Sequence, residues 1–555
     1  MRRIARKNKN GTTTAYIQLA HNYRDPKTGV PKAKVLHSFG REDELDVESI
    51  RRLIKSMCRF LRPEEALGVV AEMDGDSGPL AVEWSRDLGG PWILDQLWQK
   101  LGIRHVLEKL LQARRYQVPV ERVVFSMVAN RALDPASKRK VEEWVHEDVV
   151  IDDLPQVAVQ QLYRAMDFVL ASEEELQREV YWSVANLLNL EVDLLYFDTT
   201  STYFEIEEED EGEDGFRKRG HSKDKRPDRP QAVIGLAVTR EGIPVRCWSW
   251  PGNTADMSVV NQVKKDLRGW KLGRVITVLD RGFSSKENLK ELQKAGGHYI
   301  VGDRMRSGKA DVNEAMKRSG RYHEIRKNLR AKEIIVGDGE ARSRYVLVHN
   351  PSEARRQKVK REEMIKNLKA QLAQIKDLPE NHHTKAVCAL VSHRTYGRYL
   401  ASTKAGRPRI DMKKVRDEER YDGKYLLKTS DDTLSTEDIA LGYKQLMDVE
   451  RAFRTLKSQL DLRPVYHRLE ERIRAHVLLC WLALLLVRII ENATGESWTS
   501  VRTVMDRMKL VKFNSNDGSF LQRTDATPKQ KEILSSLQLK EPPLVYDVGP
   551  TKSTP

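Results

Sequence analysis

Cysteine is scarce in this chain. There are four in 555 residues, Cys58, Cys247, Cys388 and Cys480, and no Cys-x-x-Cys pair. That spacing excludes a disulfide framework and a zinc knuckle, and it fits a reducing compartment. His382-His383 has no cysteine nearby, so the closed pattern of a structural zinc site is missing there too. Long apolar runs are also lacking. The most apolar stretch, Val477 to Ile490, contains Arg488 and falls short of the ~20 residues that a membrane span needs, so a core helix is expected. No secretory leader stands at the start. The expectation is a cytoplasmic protein with no membrane contact.

Positive charge is abundant. The formal net charge is +15 and the isoelectric point is near 9.4, which suits a polyanionic partner. Residues 1–40 hold nine Lys/Arg against the single acid Asp25, a local balance of 9 − 1 = +8, so this end is a candidate for phosphate contacts. A chain of 555 residues has room for three or more domains.

Three carboxylates interrupt the pattern. Val192 to Phe197 is a β-prone, mostly apolar run that Asp198 follows, and Thr199 to Thr202 continue it. Arg274 to Leu279 is a second such run and stops at Asp280; Arg281-Gly282-Phe283-Ser284 then lead into a helical pattern from Lys286 to Lys294. An unpaired carboxylate at the end of a buried strand is costly, so each has a structural partner or holds a cation. Glu450 is the third. Tyr443, Glu450 and Lys457 are spaced seven and seven. At ~100° per residue, such a spacing returns nearly to one helical face. A hydroxyl, a carboxylate and an ammonium in one stripe suit a metal-dependent phosphoryl-transfer site on DNA. The competing reading is a solvated face with a Glu–Lys pair. Two strand-end aspartates with a helical glutamate fit a hard-cation site of oxygen ligands.

Between the aspartates, Gln231 to Val238 reads as a buried strand, Glu241-Gly242 as a turn and Ile243 to Trp250 as the hairpin partner. Pro251 to Asp256 is a loop, and a helix runs from it to about Leu267. His298 to Val301 is a further strand after the second aspartate. From the residues alone the class is mixed α/β.

Together these pieces resemble the DDE transposases of bacterial insertion sequences, in the insertion-sequence-four-like superfamily and nearest the branch named after insertion sequence 1634. The resemblance rests on Tyr196-Phe197-Asp198-Thr199-Thr200, Gly252-Asn253-Thr254, Leu279-Asp280-Arg281-Gly282-Phe283 and Tyr421-Asp422-Gly423. It continues through the helix from Tyr443 to Lys457, Arg463-Pro464-Val465-Tyr466-His467 and Arg474-Ala475-His476-Val477, and it spans roughly residues 12 to 490. It implies a ribonuclease-H-like catalytic core with a mainly β insertion, preceded by a β-plus-helical N-terminal DNA-binding region. It implies that Asp198, Asp280 and Glu450 are catalytic and hold two Mg²⁺ ions per site, Mn²⁺ being a substitute, with Asp198 bridging both ions.

The implied partners are double-stranded DNA, namely the transposon's terminal inverted repeats and the target, and a second copy of the chain in the DNA complex. The implied reaction is cut-and-paste transposition in the bacterial cytoplasm, at the nucleoid. Tyr443 and Lys457 would grip the phosphate backbone; Arg281 would do likewise or form a structural salt bridge. The family signature on the last helix is Tyr, Arg, Glu, Lys, but its arginine position is Leu446 here. Lys444, Arg451 and Arg454 are candidates to replace that contact, Arg454 foremost. Two alternatives share the same acids: a domesticated nuclease on this core, and a non-catalytic DNA-binding protein derived from a transposase.

Six regions are expected. Residues 1–80 are a strand-rich basic region that passes into a helix from Val47 to Leu61, and 85–185 are a helical DNA-end-binding region or a plain packing domain. Residues 190–303 and 421–510 are the two parts of the core. Residues 304–420 are an insertion with strands and a charged helix from Ser352 to Leu378, and 511–555 are a polar tail carrying little core. Residues 205–214 hold eight acids and 217–229 hold seven Lys/Arg, which reads as a mobile loop over or beside the site, its acids solvated. The insertion has no Trp, and Tyr322, Tyr345, Tyr396 and Tyr399 are its aromatic candidates for stacking on a flipped base.

Overall fold

The computed structural model describes residues 2–7, 13–24, 30–42, 81–112, 118–188, 194–212, 214–270, 275–339, 342–376, 380–393, 395–403, 407–515 and 518–549, with isolated positions 54, 58, 61, 65 and 114. The helix expected from Val47 to Leu61 lies outside these residues apart from the isolated positions. The chain forms two compact units.

The first unit comprises Met1–Arg86, Lys509–Asp525 and Pro542–Pro555. Strands Arg2–Lys7, Thr13–Arg24 and Pro31–Arg41 form an antiparallel sheet. A second sheet takes its strands in the order Val545–Gly549, Gly518–Arg523, Lys509–Ser515, Ala81–Asp87. The C-terminal segment is therefore not the expected polar tail. Phe520, Ile533 and Leu534 are buried, and the Phe513 and Phe520 rings stack at 4.9 Å.

The second unit holds Asp87–Met508 and Ala526–Glu541. It opens with helices from Gly89–Lys100 to Glu173–Leu188. Val120–Leu133 is buried along its whole length, its polar side chains included; Arg122 is paired there with Asp95 and Glu121, both at 2.7 Å.

Nine strands follow in one sheet: β1 (Leu194–Tyr203), β2 (Gln231–Val238), β3 (Pro244–Pro251), β4 (Ile276–Leu279), β5 (His298–Asp303), β6 (His323–Arg326), β7 (Leu329–Val336), β8 (Ser343–His349) and β9 (Lys424–Thr429). Their order is β6-β7-β8-β9-β5-β4-β1-β2-β3. β1, β2 and β3 are an antiparallel meander. β4 pairs parallel to β1, and β5 parallel to β4. Parallel neighbours need crossovers. Here α1 (Val260–Arg268) and α2 (Lys286–Gln293) supply them and cover one face, burying Phe197, Trp248, Trp270, Phe283 and Tyr299 in one core.

The expected insertion departs from its outline. β6, β7 and β8 do not form a separate β module; β8 pairs with β9, and β9 with β5, so they extend the central sheet. Residues 351–419 are largely helical, with α3 (Pro351–Lys376) the longest element. Leu368 and Ile375 of α3 form a small core with Leu390, Tyr399, Leu400 and Val415. The buried guanidinium of Arg361 joins this part to the sheet through a two-pronged contact to Asp422, 2.6 and 2.7 Å.

After β9 come α4 (Thr436–Lys444), α5 (Met447–Ser458) and α6 (Glu470–Thr494). α6 is longer than the expected Val477–Ile490 and, by length and composition, long enough to cross a membrane. It is instead a core helix of this unit, packed on Val120–Leu133, Val159–Ala171 and β3, with 94% of its most apolar window buried.

Candidate active site

The parallel register sets the site. Phe197 pairs with Leu279 across β1–β4, so Asp198 and Asp280 are the next residues on adjacent strands. Leu279 pairs with Val301 across β4–β5, which places Gly302 at the same level. Side chains alternate along a strand, so Leu194, Tyr196 and Asp198 share the face that α4 and α5 cover. Tyr196 Oη donates to Gln445 Oε1 at 2.8 Å on that face.

Tyr443 and Glu450 do not share one helix. α4 ends at Lys444, Gln445 and Leu446 form a turn, and α5 starts at Met447. The expected single stripe of Tyr443, Leu446, Glu450 and Lys457 is thus corrected: Tyr443 comes from the preceding helix. The break places Glu450 in the first turn of α5, where the helix dipole favours a carboxylate.

Asp198, Asp280, Glu450, Tyr443 and Arg281 line one cavity of about 730 Å³. Tyr443 Oη donates to Asp280 Oδ1 at 3.2 Å, and the Tyr443 ring stacks on Tyr425 at 5.9 Å. Burial raises the Tyr443 hydroxyl above its usual range, and Asp280 adds to this, so the phenol stays a donor. Burial pushes the Asp198 carboxyl up to about 6; the Lys223 ammonium and the Thr199 N–H oppose this, while Asp280 and Asp256 reinforce it. A buried carboxylate with two acidic neighbours is short of positive charge.

Gly302 makes room for this arrangement. A Cβ there would meet the Tyr443 Oη and lie 3.0 Å from its ring carbon. Gly302→Ala is therefore expected to displace Tyr443 from Asp280 and to lower whatever activity the site supports by ~10- to 100-fold, since about 1 Å of misplacement costs up to that much. The hydroxyl is the nearer contact, so the loss in the double variant Gly302→Ala/Tyr443→Phe should fall well short of the product of the two single losses. Fully additive losses in an activity assay would contradict a shared cause.

The other expected contacts divide. Lys444 lines the cavity, and Leu446 lines it as an apolar wall. Arg451 is exposed and pairs with Asp448 at 3.5 Å; Arg454 is exposed as well, and neither lines the cavity. Lys457 is not paired with Glu450. It donates to Asp224 Oδ1 at 2.8 Å, and Arg463 lies 2.7 Å from the other oxygen.

Sequence reasoning missed Lys223, Asp224, Asp256 and Arg304. Lys223 Nζ donates to Thr199 O and Oγ1, both at 2.7 Å, and lies 3.6 Å from Asp198 and 3.2 Å from Asp256. Thr199 Oγ1 donates to Asp256. The basic run at 217–229 was the available signal. Its acidic neighbour is not simply solvated: Asp210 accepts from the Arg217 amide at 2.8 Å and pairs with its guanidinium, Glu209 pairs with Arg219, and Phe204 and Phe216 are buried. Asp210 and Glu209 thus neutralise two bases of their own loop, Arg217 and Arg219.

The donor set, three carboxylates facing one cavity, fits a hard divalent cation. The side chains are not drawn to a point, and among the described residues no three acidic, histidine or cysteine groups converge to enclose an ion.

Residues 1–66 match the family described as IS1634 family transposase, N-terminal domain, and residues 201–486 match the Transposase DDE domain. The second span covers about half of the chain, contains Asp280, Tyr443 and Glu450, and begins just after Asp198. No curated protein matches the chain. Among solved structures, a piggyBac transposase synaptic complex with hairpin DNA is 11% identical, over 75% of this chain and 79% of that one, with a TM-score of 0.34. A Mos1 transposase paired-end complex with the left transposon end is 10% identical, over 46% and 78%, with a TM-score of 0.14. Likeness that faint adds nothing to the fold or the site. The two family matches do: the chain belongs to the DDE transposases, in the IS1634 branch.

Proposed function

We propose that the chain binds the terminal inverted repeats of its element, cleaves DNA at those ends and joins them to a target by cut-and-paste transposition. The observation that carries this reading is that Asp198, Asp280 and Glu450 line one cavity, in a chain of this family. The core reads as ribonuclease-H-like, supported by an antiparallel meander β3-β2-β1 continued by parallel β4 and β5.

Asp198, Asp280 and Glu450 would hold Mg²⁺, or Mn²⁺ in its place, two ions per site. The chemistry such ions would supply is activation of water or a DNA 3′-hydroxyl and charge stabilisation of the leaving oxygen. The protein's own part is to fix the acids. Tyr443 donates to Asp280 and orients it, and Thr199 N–H donates to Asp198 Oδ1 at 2.7 Å. Arg281, Arg304 and Lys444 line the cavity and offer donors to a phosphate backbone. Residues 1–80 and 85–185 are proposed as DNA-end contacts, and a homodimer as the DNA-bound form, in the cytoplasm at the nucleoid.

The test is incubation with a duplex carrying the element's inverted repeats and Mg²⁺. Strand cleavage at the repeat ends, lost on chelation, is expected; binding without cleavage would favour a non-catalytic relative. The same assay separates the replacements for the missing arginine. Lys444→Ala is expected to lower cleavage by about tenfold, roughly one charge-assisted contact, and Arg454→Ala to leave it nearly unchanged. The reverse order would return the contact to Arg454.

A further inference from the structure

Two adjacent residues of opposite charge, Lys223 and Asp224, reach from the 205–229 loop to two different groups. The ammonium of Lys223 enters the acidic wall, against Asp198 and Asp256. The carboxylate of Asp224 enters a basic fork, Lys457 Nζ on one oxygen and Arg463 Nη1 near the other. Each partner set is arranged for something else. Carboxylates without a matching count of cations attract a divalent ion. An ammonium beside a guanidinium, both within 2.8 Å of one carboxylate, is a geometry that a phosphate takes as readily as a carboxylate.

Resting on the function proposed above, we propose that Lys223-Asp224 is an internal substitute for the metal–phosphate pair, its ammonium in the cation's place and its carboxylate in the phosphate's, and that both side chains leave when ion and DNA bind. The anion subsite this defines, Lys457 with Arg463, takes one phosphodiester of the DNA backbone. Of these two, the sequence points only to Lys457 as a DNA contact; Arg463 is added by the shared carboxylate.

The surroundings fit a segment that docks and releases. Ser201 Oγ accepts from the Lys223 amide at 2.9 Å, and the guanidinium groups of Arg226 and Arg463 each lie 5.0 Å from the Tyr203 ring. The ends of the segment are tied down separately, by the bridge from Lys218 to Gln231. Lys225 takes a left-handed φ of 60°, a conformation that a side chain of its kind rarely adopts. An ordinary structural ion pair would have no reason to neutralise both halves of the site at once. Substitution by the dipeptide also accounts for acids that face one cavity without converging.

The full-length protein tests this with three measurements. Lys223→Gln is expected to bind Mn²⁺ alone at least threefold tighter than wild type, by titration calorimetry. Asp224→Asn is expected to bind a short duplex more tightly, with the dependence of log affinity on log salt steeper by up to two contacts, ~0.9 each. Unchanged or weaker binding in either variant would overturn the proposal. The third measurement needs no variant. In wild type, hydrogen exchange of residues 219–229 should speed up on adding Mn²⁺ and duplex; unchanged or slower exchange would also overturn it. If wild type binds neither Mn²⁺ nor DNA, the functional reading fails and this inference with it. If wild type binds both and these three results are negative, only this inference fails.

Discussion

Asp198→Asn, Asp280→Asn and Glu450→Gln are each expected to lower cleavage of pre-formed transposon ends by ~10³-fold or more. A metal ligand supplies several kcal/mol of charge stabilisation, and each ~1.4 kcal/mol is a factor of ten. Duplex binding should persist, since removing an acid does not weaken a phosphate-binding surface. Asp198→Asn also carries its own control for folding. Burial raises the Asp198 carboxyl to about 6 in the fold. A raised folded value gives stability that is full below the unfolded value near 4 and is lost as pH rises through about 6. At pH 7 the ionised group therefore costs stability in the metal-free protein, and the Asn variant should melt no lower than wild type. A variant that keeps cleavage within tenfold of wild type would remove that residue from the metal site.

The second large effect is on stability, and its sign is unusual for a core residue. Lys138, at the start of the helix Lys138–Glu147, is buried. Burial first, then Arg131, lowers its ammonium from 10.5 to about 7, with Cys480 opposing. Nearby, burial lowers His467 to about 4, with Lys138, Arg472 and Arg131 adding to it, and holds His476 well below its usual value; the two rings lie 5.7 Å apart. Between about pH 7 and 10.5 the unfolded chain binds the Lys138 proton and the folded one does not, so stability rises with pH across that window. Lys138→Met is expected to gain a few kcal/mol at pH 7, because each tenfold change in proton affinity between unfolded and folded chain is worth ~1.4 kcal/mol. Near pH 10.5 it should gain almost nothing. His467 adds a separate rise between about pH 4 and 6.5 that the variant keeps. Thermal midpoints of both proteins from pH 5 to 10 measure this. A Met variant that melts lower at pH 7, or a wild-type slope that survives the substitution, would rule out the buried ammonium as the cause.

Much of the site is legible in the sequence because it consists of departures from local pattern. Asp198 and Asp280 stand out because a polar residue follows each apolar β run, and Glu450 because it falls between Tyr443 and Lys457 at a regular interval. A single helix through that stretch is too simple. Local periodicity cannot register a turn such as Gln445-Leu446, where the side chain of Gln445 is claimed by Tyr196 from another element. The sequence favours Arg454 over Lys444 for the same reason: an unbroken helix would point it differently.

Composition and local pattern, by themselves, determined the basic character, the strands that carry the aspartates, the apolar helix α6 and the family resemblance. Each depends on residues a few positions apart, so the chain states it directly. Tertiary structure alone decided what long-range pairing controls. The register of β1, β4 and β5 set the two aspartates side by side and opened Gly302 for Tyr443. The pairing of β8 with β9 turned an expected insertion into an extension of the sheet. Docking of the charged loop joined Lys223 to Asp198 and Asp224 to Lys457, across 25 and 233 residues of chain. Attraction between charges depends on distance in space, and only the folded chain supplies that distance.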